Sequence, residues 1–101
     1  MLLYEIRKNL LVIRLSGELD HRQAAHIRSE IDALIHDSMP KRLVFDLTGL
    51  DFMDSSGIGL ILGRYKRMKT RGGSVAVSGV SRRVNQIFEM AGLYQVVEKL
   101  A

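Results

Sequence analysis

The sequence predicts an α/β protein: a small mixed, mostly parallel sheet that opens with an antiparallel hairpin and is covered by three helices. Three observations carry this. Residues 2–7 and 10–16 are two strand-like runs, separated only by Lys8-Asn9. Beyond residue 20, helix-spaced apolar residues alternate with short β-rich runs, the order expected of βαβ crossovers. The run Leu43-Val44-Phe45-Asp46-Leu47 is almost unbroken in its apolarity, as in a strand covered on both faces within a parallel sheet.

Each element has its own justification. In the second strand Leu11, Ile13 and Leu15 alternate with Val12, Arg14 and Ser16, the pattern of a half-covered strand. Gly17 to Asp20 is then expected to carry the chain out of the sheet. Asp20, with Gln23 three residues on, resembles a capping box. The helix that follows places Ala24, Ile27, Ile31, Leu34 and Ile35 on one face, and Met39-Pro40 ends it. After the strand at 43–47, a helix from Ile58 to about Lys69 carries Ile58, Ile61, Leu62, Tyr65 and Met68 as its core stripe. Arg71-Gly72-Gly73 stops it. Ser74 to Ser78 is a short strand. Ser81 caps a third helix with Val84, Ile87, Phe88 and Ala91 inward, and Gly92 suits the left-handed position at its end. Tyr94 to Val97 is expected as a last short strand.

At 101 residues the chain has material for one core, so residues 1–101 are expected to form a single domain. Apolar residues make up 47% and charged residues 26%, ordinary for a globular protein. No apolar run is long enough for a membrane span, and the start lacks the basic-then-apolar order of a signal sequence. Zero cysteines exclude disulfides and thiolate metal sites and fit a cytoplasmic location. The net charge of +4 raises the question of nucleic acid. Arg64, Lys66, Arg67, Lys69 and Arg71, however, crowd the end of one helix, where they oppose its dipole, and no aromatic platform is interleaved. A solvated helix end explains them better than nucleic-acid binding.

The stretch Asp51-Phe52-Met53-Asp54-Ser55-Ser56-Gly57-Ile58-Gly59 stands at a strand-to-helix turn. Asp54 or Ser55 can cap the helix, and Gly57 and Gly59 permit a tight turn with a bare first helical turn. Functional loops of parallel sheets gather at the carboxyl ends of the strands, so Glu18, Asp20 and His21 are expected near Asp54, Ser55 and Ser56. Serine nucleophile chemistry needs a histidine base. Only His21 is placed to reach the turn, and the Gly-x-Ser-x-Gly elbow is absent. Aspartyl-phosphate chemistry on Asp46, at the expected strand end with Thr48 two places on, needs further carboxylates for Mg²⁺; Asp51 and Asp54 are the candidates, without a strong metal pattern. The third reading, a phosphorylation switch on a protein-binding surface, fits the residues best. Leu60 lies about 200° around the helix from Ile58, so it is expected to face outward between Gly59 and Gly63, with Arg64 one turn on. A phosphate on Ser55 adds about −1.5 to −2 charges, which a helix N-terminus tolerates and a docked partner does not.

Phe52 to Lys66, with Leu15-Ser16-Gly17-Glu18-Leu19-Asp20-His21 upstream and Ser81 and Phe88-Glu89-Met90-Ala91-Gly92-Leu93 downstream, closely resembles the STAS-domain anti-sigma factor antagonists, in particular their sporulation, sigma F branch. The resemblance covers nearly the whole chain. It implies a STAS-type fold, no enzyme activity of the chain's own, no cofactor and no metal. It implies as partners an anti-sigma factor that is also a serine kinase, and a serine phosphatase that acts on the phosphorylated form and restores the free serine. Binding the kinase would release a sporulation sigma factor; a general stress sigma factor is the alternative. The kinase would modify Ser55 with its own ATP. Glu18, Asp20, His21, Asp54, Ser56, Gly57, Gly59, Leu60 and Arg64 would form the contact surface. Family members commonly add a helix beyond the last strand, past Ala101, and the expected state is a monomer.

Overall fold

The computed structural model describes residues 1–100. In chain order the elements are β1 (Leu2–Arg7), β2 (Leu10–Leu19), α1 (His21–Ser38), β3 (Arg42–Met53), α2 (Ser55–Thr70), β4 (Ser74–Ser78), α3 (Arg82–Met90) and β5 (Glu98–Lys99), with a short 3-10 turn at Leu93–Gln95 before β5. The strands form one sheet in the order β1-β2-β3-β4-β5. β1 and β2 are antiparallel, and every other pair is parallel. This is the mixed α/β architecture that the alternation of elements predicts.

Register decides which side chains meet the helices. Leu11 aligns with Leu43 and Leu43 with Val75; Ile13 aligns with Phe45 and Phe45 with Val77. These side chains are almost fully buried in one cluster with Ile27, Ile31 and Ile35 of α1 and Ile58, Ile61 and Met68 of α2. Each fully buried Leu, Ile or Phe contributes roughly 1.5–3 kcal/mol of transfer free energy, so this layer dominates the stability. The opposite face is laced with charge. Arg14 lies 3.4 Å from both Glu5 and Asp46, in pairs exposed enough to stabilise little.

Three boundaries differ from the sequence reading. Gly17 does not leave the sheet: it takes φ +82° beside a register shift, and β2 continues to Leu19. A glycine in the left-handed region is how a strand absorbs an extra residue and keeps pairing. β3 likewise runs on to Met53, so Asp46 is interior to the strand rather than at its end. The strand expected at Tyr94 to Val97 is instead a helical turn. The Val97 N–H donates to the Leu93 carbonyl at 3.0 Å, which buries Leu93 and Val97 together, and the strand begins at Glu98. On α3, Val84 and Phe88 are buried, but Ala91, expected inward, is exposed. Among the described residues no helix is long and apolar enough to cross a membrane.

Candidate functional site

The site arises because β2 and β3 are parallel neighbours that finish level with one another. Leu19 pairs with Met53, and the Asp54 N–H donates to the Leu19 carbonyl at 3.3 Å. Each strand then hands over to a helix through an aspartate. Asp20 caps α1 by accepting from the Gln23 N–H at 2.9 Å. Asp54 caps α2 by accepting from the Ser56 N–H at 2.8 Å. Both caps have extended backbone, and both satisfy donors that a helix start leaves free. Two helix N-termini therefore stand side by side, with His21 and Ser55 as their first residues.

Since Asp54 does the capping, the Ser55 hydroxyl carries no structural duty. Ser55 is exposed, while Asp54 and Ser56 are half-buried beside it. Glu18 and His21 are exposed on the neighbouring strand end and helix start, and Asp20 is half-buried. The structure thus brings together Glu18, Asp20, His21, Asp54, Ser55 and Ser56, as the strand order implied. Gly57 is buried: a Cβ there would lie 2.4 Å from Met53 Cγ and 3.2 Å from Leu19 Cδ2, so only glycine lets α2 start this close to the strand ends.

Two expectations fail. Leu60 does not face outward; it is 4% exposed and belongs to the core cluster. Arg64 is also buried, 8% exposed, with Nε 3.0 Å from Asp32 Oδ1 of α1. One cause accounts for both. α2 packs against the sheet on one face and beside α1 on another, so a second stripe of the helix leaves solvent.

That second stripe borders a groove of about 520 Å³ between α1 and α2. On α2 it runs Ser56, Gly59, Leu60, Gly63, Arg64; on α1 it runs His21, Ala24, Ala25, Arg28. Both follow the i, i+3, i+4, i+7 spacing of a helix face. The small residues keep the helices from filling the space between them. Gly63 was expected beside Leu60, and Ala24 on the core face of α1, but Ala25 and Arg28 were not singled out for a site; their signal was this spacing on two helices not yet known to be neighbours. Phe52, 40% exposed beside the turn, was also not singled out.

Asp46 is not part of this arrangement. Its carboxylate accepts from Thr48 Oγ1 at 2.7 Å and from the Thr48 N–H at 3.0 Å. These bonds, aided by Arg14, hold its pKa below the usual 3.8. No group of three or more His, Asp or Glu side chains among the described residues is arranged to hold a metal ion.

The result is a small α/β domain that presents an unencumbered hydroxyl at a helix mouth, above an open groove. Residues 2–101 match the STAS domain family, and the chain belongs to it. It is 41% identical over 93 residues to the anti-sigma F factor antagonist of Paenibacillus polymyxa, covering 92% of this chain and 80% of that one. Among solved structures it is similar to the anti-sigma factor antagonist SpoIIAA in its unphosphorylated form, with a TM-score of 0.87 and 31% identity over 100% of this chain and 89% of that one. It is similar also to the Bacillus cell fate determinant SpoIIAA in the phosphorylated form, with a TM-score of 0.79 and 30% identity over 100% of this chain and 92% of that one.

Proposed function

We propose that the chain is an anti-sigma factor antagonist switched by phosphorylation of Ser55. Unphosphorylated, it docks through the paired helix N-termini onto an anti-sigma factor that is also a serine kinase, and the sigma factor held there is released. The kinase, carrying the ATP, phosphorylates Ser55, and a serine phosphatase reverses the mark. The observation that carries this is the exposed Ser55 hydroxyl, freed by the Asp54 cap and bordered by Glu18, Asp20, His21, Ser56, Gly57 and Gly59. Leu60 and Arg64 support that surface from beneath.

The physics favours a switch that spares the fold. A phosphate brings about −1.5 to −2 charges to a position where helix N–H groups and dipole offset them. A partner surface pressed onto the same spot must desolvate that charge beside Asp54, and binding weakens. The likeness to both the unphosphorylated and the phosphorylated SpoIIAA structures supports a scaffold that survives the modification. The identity to the Paenibacillus sigma F antagonist favours a sporulation sigma factor over a general stress one. In this reading the whole chain acts as one cytoplasmic, monomeric domain that is substrate and ligand, with no reaction of its own.

Incubation with the anti-sigma factor kinase of its own organism and ATP, followed by mass spectrometry, tests this. The expected product carries one phosphate, on Ser55, and loses tight binding. Ser55→Ala is expected to fold and bind persistently, Ser55→Asp to fold and bind poorly. Modification elsewhere with Ser55 untouched, or unfolding of Ser55→Asp, rejects the mechanism.

A further inference from the structure

The groove between α1 and α2 holds a charge imbalance that the fold does not resolve. The Arg64 side chain is 10% exposed, yet among the described residues its only ion-pair partner is Asp32. Nε lies 3.0 Å from Asp32 Oδ1, yet the two are not aligned for a hydrogen bond, and both of these atoms and Arg64 Nη1 are buried with their hydrogen-bonding capacity unmet. Arg67 reaches toward the same carboxylate at 3.8 Å. Arg28, on the facing helix, lines the groove with Arg64. Arg64 and Arg67 therefore share one carboxylate, and Arg28 adds a further positive charge close enough to act on Arg64. Burial and the repulsion of Arg28 and Arg67 both act against the charge on Arg64, and Asp32 alone favours it. A guanidinium that cannot be deprotonated, buried with donors unmet, costs stability unless an anion meets it.

We propose that the groove seats an acidic side chain of the protein partner that docks over Ser55, with its carboxylate held by Arg64 and Arg28. This rests on the reading of the chain as a docking partner for an anti-sigma factor and names the chemistry of the contact. Three features select that occupant. Ser56 and Gly59 belong both to the displayed turn and to the groove wall, so a partner on one reaches the other. Leu60 and Ala24 give the groove an apolar floor and wall, suited to the aliphatic stem of a Glu or Asp as well as to its charged end. The surplus charge is positive, and planar guanidinium donors match a carboxylate. In the free protein the imbalance remains as a stability cost, which docking relieves.

Binding and stability therefore move in opposite directions, and that pairing is the test. Arg28 is exposed and safe to replace. Arg28→Glu supplies an internal carboxylate to Arg64. It is expected to raise the melting temperature of the free domain by about 3 °C and to weaken binding of the organism's own anti-sigma factor at least tenfold. Arg82→Glu, an equal charge change on α3, is expected to bind as wild type. Wild-type affinity in Arg28→Glu overturns the groove contact while leaving the docking reading intact. No binding by the wild type overturns the docking reading, and the groove contact with it. Titration of the free domain with inorganic phosphate distinguishes a free-anion site: saturation at low millimolar phosphate, shifting the Arg64 side-chain NMR signals, overturns the proposal. So does dimerisation of the free chain that Arg28→Glu abolishes.

Discussion

The Ser56 N–H donates to Asp54 Oδ1 at 2.8 Å, and this single bond leaves the Ser55 hydroxyl free of any capping role. Asp54 thus has two separable properties, an acceptor oxygen and a charge. Asp54→Ala removes the cap and is expected to cost about 1 kcal/mol, a drop of roughly 4–8 °C in melting temperature for a domain of this size. Asp54→Asn keeps an acceptor and is expected to retain most of that stability. Thermal melts of the two variants compare the properties directly. Equal losses in both would mean that the charge, not the hydrogen bond, holds the helix start.

Leu60→Ala distinguishes a surface leucine from a core one. Exposed positions away from special features change stability by about 0.5 kcal/mol or less, whereas truncating a buried leucine costs about 2–5 kcal/mol. Leu60 is 4% exposed and lies in the same cluster as Ile58 and Ile61, so the larger loss is expected. Urea unfolding at constant slope measures it. A loss under 1 kcal/mol would return Leu60 to the surface.

The same residue shows where sequence patterning stops. The caps at Asp20, Asp54 and Ser81 and the left-handed Gly92 were legible, because each depends on its own few neighbours. So was the pairing that brings Glu18 beside Phe52 and His21 near Ser55, since strand order follows from βαβ connection rules. Leu60 and Arg64 were not. A helical wheel assigns one buried face, whereas α2 has two, and only the position of α1 reveals the second. The Arg64–Asp32 contact joins two helices whose separation in the chain carries no local signal. The extensions of β2 and β3 were hidden for another reason. A register shift between Arg14 and Ser16 and another between Gly17 and Glu18 break the period-two pattern by which strands are found.

Asp46 has its carboxylate bonded by Thr48 and attracted by Arg14, so its folded pKa lies below the 3.8 of the unfolded chain. The folded state therefore favours the ionised form. The stabilisation is fully present above about pH 5, shrinks as pH falls through 3.8, and is gone below the folded pKa. Asp46→Asn is expected to lower stability at neutral pH and to flatten the acid limb of the stability curve. Melting temperatures between pH 2.5 and 7, on the order of five points for each protein, are sufficient to follow it. Parallel acid limbs in the two proteins would show that Asp46 titrates normally.

The glycines of α2 divide by what a methyl group would meet, and the division separates packing from docking. At Gly57 the new Cβ would lie 2.4 Å from Met53 Cγ and 2.5 Å from its sulfur, and Met53 is buried under the helix start with little room to yield. Gly57→Ala is expected to cost about 1–3 kcal/mol through overpacking, despite the better helix propensity of alanine. At Gly59 and Gly63 no atom lies within 4 Å of the added Cβ. There the propensity term is unopposed, and each alanine variant is expected to gain about 0.5–1 kcal/mol. Both positions nevertheless border the groove beside Ser56, so the added methyl occupies space a docked partner needs. Gly59→Ala and Gly63→Ala are therefore expected to be more stable than wild type and to bind the anti-sigma factor several-fold more weakly. Chemical denaturation combined with a binding titration reads both quantities on the same samples. Stabilised variants that bind unchanged would place the partner away from the groove, on the Glu18 side of Ser55.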